Sequence, residues 1–240
     1  MRHTLIVLAL LALAACSSTP TPSPVPAPPP GPVTRTVTSP DGVAISYTVA
    51  GAGDVALVFI HGGWADSTVW RHQVDAFSDR YRVVAVDLAG HGASGRNRTS
   101  WTPGAFGADV ATVVEAEGLE RVVLIGSSMG GPVALEAARQ LPRRALGVIA
   151  VDTLHELDAV QNPAQWKARL DALRADFPGT CAAMVAALFP PDADDNLVAR
   201  VRELMCAFPP ELAAPVLEGF TGYDLVAAAR ASGVPLRAVN

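Results

Sequence analysis

The sequence predicts an α/β protein, a largely parallel doubly wound sheet carrying an inserted helical cap. Three observations point there. Short, almost wholly apolar runs recur at Val55–Ile60, Val83–Val86, Val122–Ile125, Leu146–Val151 and Val234–Val239, the pattern of strands buried on both faces. Segments of helical length and period separate the first four of them, at Ser67–Arg80, Thr102–Gly118 and Met129–Leu141. Alternation of this kind calls for parallel strands joined by crossover helices.

Composition sets the bounds. The chain has 240 residues, 50% of them apolar and 17% charged, with 18 Lys plus Arg against 23 Asp plus Glu for a net charge of -5. That is enough apolar material for one sizeable core and too little charge for a disordered chain. Mild acidity without a Lys/Arg cluster argues against nucleic acid as a partner. Three Cys, with no Cys-x-x-Cys pair and no His/Cys cluster, predict neither a structural metal nor a disulfide-built scaffold. No cofactor is expected.

The first residues look like an address. A basic start at Met1-Arg2-His3 precedes an apolar run of eleven residues, Leu5 to Ala15, and small residues lead to Cys16. This is the layout of a secretory signal, and the run is too short for a permanent span. Leu13-Ala14-Ala15-Cys16 resembles the lipobox of bacterial lipoproteins, which implies a signal over 1–15, acylation of Cys16 and membrane attachment. Ser17 resembles the residue that directs such proteins to the outer membrane, where the host has one. Residues 16–33 follow as a linker, with eight Pro between positions 20 and 32. An extended polyproline stalk of this length reaches about 40 Å.

The core is expected over 34–153. Val33–Thr38 and Val43–Ala50, around Pro40-Asp41-Gly42, make an antiparallel edge hairpin. The rhythm breaks over 154–232, which is rich in Ala and Leu, interrupted by Pro and free of convincing strands; four or five short helices are expected there. An insertion leaving the carboxyl ends of parallel strands lies over the ligand crevice, which makes it a cap; a plain helical layer completing the core is the alternative. Residues 233–240 begin the returning core strand.

Three motifs follow consecutive predicted strands: His61-Gly62-Gly63-Trp64, Asp87-Leu88-Ala89-Gly90-His91-Gly92-Ala93-Ser94, and Gly126-Ser127-Ser128-Met129-Gly130. The last is Gly-x-Ser-x-Gly between strand and helix, the form of a nucleophile elbow with Ser128 at its apex. Gly126 and Gly130 stand where a side chain would strike the neighbouring backbone. In this order the three motifs make residues 43 to 152 resemble the α/β-hydrolase superfamily, and within it the cap-bearing serine hydrolases with a His-Gly loop. The resemblance implies Ser128 as nucleophile, the N–H groups of Gly63 and Met129 as the oxyanion hole, Trp64 at the pocket mouth, and a structural role for the Asp87 and His91 loop. Ser at the apex favours acyl transfer from esters, lactones or amides over the alkyl-enzyme chemistry of an apical Asp.

A serine hydrolase also needs a base and an orienting acid. The superfamily takes both from loops after its last two strands, and Val234 to Asn240 resembles the next-to-last, so the chain is expected to be a partial one. Asp152 and His155, after the strand Leu146–Val151, are the candidate stand-ins. Cys181 and Cys206 are candidates for a bridge between two cap helices, with two separately buried thiols as the alternative. Trp166, Phe177, Phe189 and Phe220 suggest an apolar pocket or plain core. The expectation is a lipid-anchored envelope serine hydrolase acting on a small ester or related acyl substrate. Its rivals are a non-catalytic lipoprotein binding a small apolar ligand, a cofactor-free haloperoxidase, a carbon-carbon bond hydrolase and an acyltransferase.

Overall fold

The apolar runs pair into a seven-stranded sheet of order β1-β2-β4-β3-β5-β6-β7. The computed structural model describes residues 31–154 and 162–239; Cys16 with its leader, and His155, lie outside the described residues. The hairpin of β1 (Val33–Thr38) and β2 (Ala44–Ala50) is antiparallel and joins the sheet against β4 (Arg82–Val86). From there β4, β3 (Ala56–Ile60), β5 (Val122–Ser127), β6 (Ala145–Val151) and β7 (Leu236–Val239) all run parallel.

Period-two alternation divides each central strand between two cores. Val58 and Ile60 of β3, Val84 and Val86 of β4, and Leu124 of β5 face the larger core, where α2 (Pro103–Ala116) and α3 (Gly130–Gln140) pack. Leu57, Phe59, Val83, Ala85 and Ile125 face the smaller one under α1 (Arg71–Phe77). The predicted helix Ser67–Arg80 is thus shorter than its period suggests. Asp66 caps a 3-10 turn over Ser67–Trp70 by accepting from the Thr68 N–H, and the α-helix begins only at Arg71.

Among the described residues, five helices lie between β6 and β7: α4 (Pro163–Ala175), α5 (Phe177–Ala187), α6 (Asp195–Cys206), α7 (Pro210–Glu218) and α8 (Leu225–Ser232). Three of the prolines that interrupt this stretch mark helix starts, whereas Pro215 lies inside α7. Pro163, Pro178 and Pro210 stand in first turns, where a missing N–H leaves no bond unmade. Asn162, Asp176, Asp194 and Asp224 cap neighbouring N–H groups at the starts of α4, α5, α6 and α8. The stretch divides in two, because α8 packs along α3 as a sheet-covering crossover helix while α4 packs on α7 and α5 on α6. Cys181 of α5 and Cys206 at the end of α6 are joined by a disulfide. The layer meets the body through aromatic contacts, Trp64 edge-on to Phe177 at 5.3 Å and His91 against Phe208 at 4.6 Å.

Candidate active site

The chain leaves β3 toward β4 on one side and β5 toward β6 on the other, so β3 and β5 flank the switch point where a doubly wound sheet opens a crevice. Ser128 stands there. Ser127 ends β5 in register with Val151, and Ser128 follows at φ 50°, a left-handed conformation uncommon outside glycine. Its N–H reaches the Val151 carbonyl at 3.3 Å, and its carbonyl accepts the Gly131 N–H at 2.9 Å. The turn closes because two side chains are missing. A Cβ on Gly126 would strike the Gly130 carbonyl and lie 2.8 Å from the Gly131 nitrogen; one on Gly130 would lie 2.7 Å from the His61 carbonyl oxygen.

The loop after β3 faces this turn. A Cβ on Gly62 would lie 3.2 Å from the Ser128 Cβ, so the backbone here runs against the serine. Gly63 and Met129 line the same cavity as Ser128, and their N–H groups enter none of the turn and loop bonds among the described residues. Met129 also opens α3, whose first-turn dipoles favour negative charge. Trp64 follows at φ 59° and is buried.

His61 and His91 are structural. The His61 Nε2 accepts the Leu88 N–H at 3.0 Å, which leaves Nδ1 to donate to the Gly62 carbonyl at 2.7 Å. Complete burial pushes its pKa down, so the ring is a neutral tie between the β3 and β4 loops. His91 donates from Nδ1 to the Ala89 carbonyl at 2.9 Å, and burial pushes it down to about 3. Asp87 is occupied as well: its carboxylate accepts the Ser67 N–H at 2.8 Å and the Ala93 N–H at 3.0 Å.

Asp152 follows β6 at the same carboxyl edge, exposed and at φ 47°, with its N–H on the Val239 carbonyl at 2.8 Å. Its carboxylate makes no hydrogen bond among the described residues. Trp64, Ser128, Asp152 and Leu154 are the non-glycine residues with positive φ among the described residues. All four gather on loops at this edge, where backbone strain commonly marks a functional site. His72 sits exposed on α1, so none of the described histidines meets the Ser128 hydroxyl.

A cavity of about 160 Å³ lies over Ser128, between Gly63, Trp64 and Met129 below and Arg169, Met184, Leu188, Met205, Val216 and Leu217 of the helical layer above. Grooves of about 450 and 540 Å³ lie elsewhere and touch none of the motif residues, and one of about 210 Å³ runs beside Trp64 and Gly92. The four aromatic residues singled out from the sequence do not line the Ser128 cavity. Phe177 packs under Trp64, Phe220 on Phe106, Phe189 against the core, and Trp166 donates from Nε1 to the Thr221 hydroxyl at 2.7 Å. Aliphatic and thioether side chains of α5, α6 and α7, with Leu188 just after α5, do so instead. No periodic signal marks them.

Sheet, elbow and helical layer together define an α/β protein with a strand-turn-helix serine at its switch point. Comparison with known proteins gives the family: the model of the alpha/beta hydrolase fold matches residues 55–198, and the chain belongs to that family. It is 36% identical over 122 residues to the dihydrolipoyllysine-residue acetyltransferase component of the acetoin cleaving system of Cupriavidus necator, covering 51% of this chain and 33% of that protein. It is 38% identical over 108 residues to the pimeloyl-[acyl-carrier protein] methyl ester esterase of Edwardsiella ictaluri, covering 45% and 40%. The chain therefore spans well under two thirds of these curated relatives. A solved esterase from Exiguobacterium antarcticum superposes with a TM-score of 0.74 at 19% identity, covering 80% of this chain and 75% of that one, a likeness of fold.

Proposed function

We propose that the protein is a serine hydrolase that cleaves a small ester or related acyl substrate through an acyl-Ser128 intermediate, and that it is exported and held in the cell envelope by lipidated Cys16. The observation that carries the reading is Ser128 itself, at φ 50° on the elbow, in one cavity with the Gly63 and Met129 backbone. The esterase among its relatives supports the same reaction class.

In this mechanism the Ser128 Oγ attacks the substrate carbonyl carbon while its proton passes to a base. The carbonyl oxygen becomes an oxyanion between the Gly63 and Met129 N–H groups, fixed dipoles that need no reorganisation. Collapse expels the alcohol and leaves the acyl group on Ser128; water then takes the acyl group and releases the acid. The neutral, doubly bonded His61 and the buried His91 do not serve as that base, and Asp152 and His155 are the residues to test.

Hydrolysis of 4-nitrophenyl acetate is the direct assay. Ser128→Ala should lower the rate at least about 10³-fold, and wild-type turnover no faster than Ser128→Ala would contradict the reading in favour of ligand binding alone. His155→Ala and Asp152→Asn, in the same assay, decide whether the proton leaves by that route. Added alcohols distinguish acyl transfer from hydrolysis by their ester products. Incorporation of labelled fatty acid, lost in Cys16→Ala, tests the anchor.

A further inference from the structure

Ten residues surround the cavity over Ser128, and Arg169 is the charged one among them. It lies on α4 beside the stripe of Trp166, Leu170 and Leu173 that turns toward the body, which sets its stem at the cavity rim. The other α4 cations are paired. Lys167 meets Asp171, and Arg174 meets Asp171 at 3.7 Å and Glu218 at 2.6 Å. The Arg169 guanidinium, although exposed at the rim, meets no carboxylate among the described residues. Its polar contact is the Met184 Sδ, at 3.7 Å. Partial desolvation by the surrounding helices lowers its pKa from the ordinary arginine value, though the group stays charged. At the rim of an apolar cavity, with no carboxylate on it among the described residues, this guanidinium is placed to meet an anion that enters.

The rest of the wall narrows the choice. Met184, Leu188, Met205, Val216 and Leu217 offer no charge, so apart from the Gly63 and Met129 N–H groups assigned to the reacting carbonyl, Arg169 is where an anionic group can be met. At about 160 Å³ the cavity is also smaller than the roughly 300–1,000 Å³ of sites for drug-sized ligands. A guanidinium fork matches a carboxylate with two parallel N–H···O bonds. We infer that Arg169 receives a carboxylate of the substrate, and that the site takes a short ester or lactone bearing that carboxylate a few atoms from its acyl carbon. The inference rests on the reading of Ser128 as nucleophile, and it makes Arg169 a specificity-determining residue.

Binding of an unreactive matched pair separates the two ideas. Levulinate and 2,5-hexanedione are nearly isosteric ketones, one with a carboxylate and one neutral. Calorimetry on the wild-type protein should find levulinate bound at least about 10-fold more tightly, as expected for a charge-assisted pair. Arg169→Met should erase that preference while leaving the melting temperature nearly unchanged, and Arg169→Lys should keep part of it. Equal affinity for the two ketones, no measurable binding of either, or a preference that survives Arg169→Met would overturn the assignment. Fluorophosphonate labelling of Ser128 in the same preparation reads the nucleophile separately. Labelling with no levulinate preference removes Arg169 alone. A levulinate preference without labelling removes the hydrolase and keeps the carboxylate site.

Discussion

The two walls of the cavity are built differently. Below, the elbow is backbone against backbone: Gly126 and Gly130 lie so close to neighbouring carbonyls that one added carbon has nowhere to go, and Gly62 runs tight against Ser128. Above, side chains from α4, α5, α6 and α7 meet over the serine, and α5 and α6 are tied by the Cys181–Cys206 bridge. The lower wall fixes where Ser128 stands; the upper wall bounds what can reach it. Change in the helical layer can therefore alter selectivity without disturbing the elbow, whereas change at the elbow threatens the fold itself.

The largest expected effect is at the lower wall. Gly130→Ala pushes a methyl group into the Ile60 and His61 carbonyls, and Gly126→Ala into that of Gly130. Each should cost more than about 4 kcal/mol or abolish soluble expression, measurable by denaturant unfolding; tolerance of either would mean that the elbow can relax. In the upper wall, Cys181→Ser with Cys206→Ser opens a loop of 24 intervening residues. The loss should be about 3 kcal/mol in the chain-entropy model, seen in the urea midpoint, while Ser128 keeps its reactivity. Equal loss of reactivity and stability would show the two walls to be one cooperative unit.

A third test addresses the seam between them. His91, packed on Phe208, is held neutral down to about 3 by burial. The unfolded chain takes up this proton near the ordinary histidine value of about 6.5 and the folded one does not. The stability owed to the neutral ring is thus fully present above about 6.5 and is lost as pH falls toward 3. The slope is about 1.4 kcal/mol per pH unit for one ring. His61 acts in the same direction. Between pH 7 and 5 the wild-type protein should lose about 2 kcal/mol more than His91→Phe, as read from urea midpoints. The smallest effect belongs to the outer surface. Arg174→Ala breaks an ion pair with Glu218 in which both side chains are about half exposed, and should change stability by less than about 1 kcal/mol.

The same contrast explains what could be read from the amino acids. The lower wall is local: strand, Gly-x-Ser-x-Gly, and helix with Pro132 in its first turn stand within about twenty residues, and the His61-Gly62 and Asp87 loops each directly follow an apolar strand. Their apolar runs and glycines mark strand ends and close approaches directly. The short helices of the inserted stretch are legible from its composition and prolines, although α8 belongs with α3 on the sheet rather than over the site. The cavity ceiling was not legible. Met184, Leu188, Met205, Val216 and Leu217 converge only through the packing of separate helices, and large aromatic side chains drew notice that belonged to the core. Arg169 carried a sequence signal of one kind: an arginine at the edge of an apolar stripe on α4, without an acidic residue three or four positions away on either side.

If strain and geometry make Ser128 the nucleophile, a fluorophosphonate should find this serine alone. The full chain, Ser128→Ala and Ser127→Ala would each be exposed to a fluorophosphonate probe, with the adduct located by mass spectrometry of the digested protein. The expected result is rapid, single-site labelling at Ser128, absent in Ser128→Ala and retained in Ser127→Ala. Intact, folded protein that stays unlabelled, or that carries the adduct at Ser127, would contradict it.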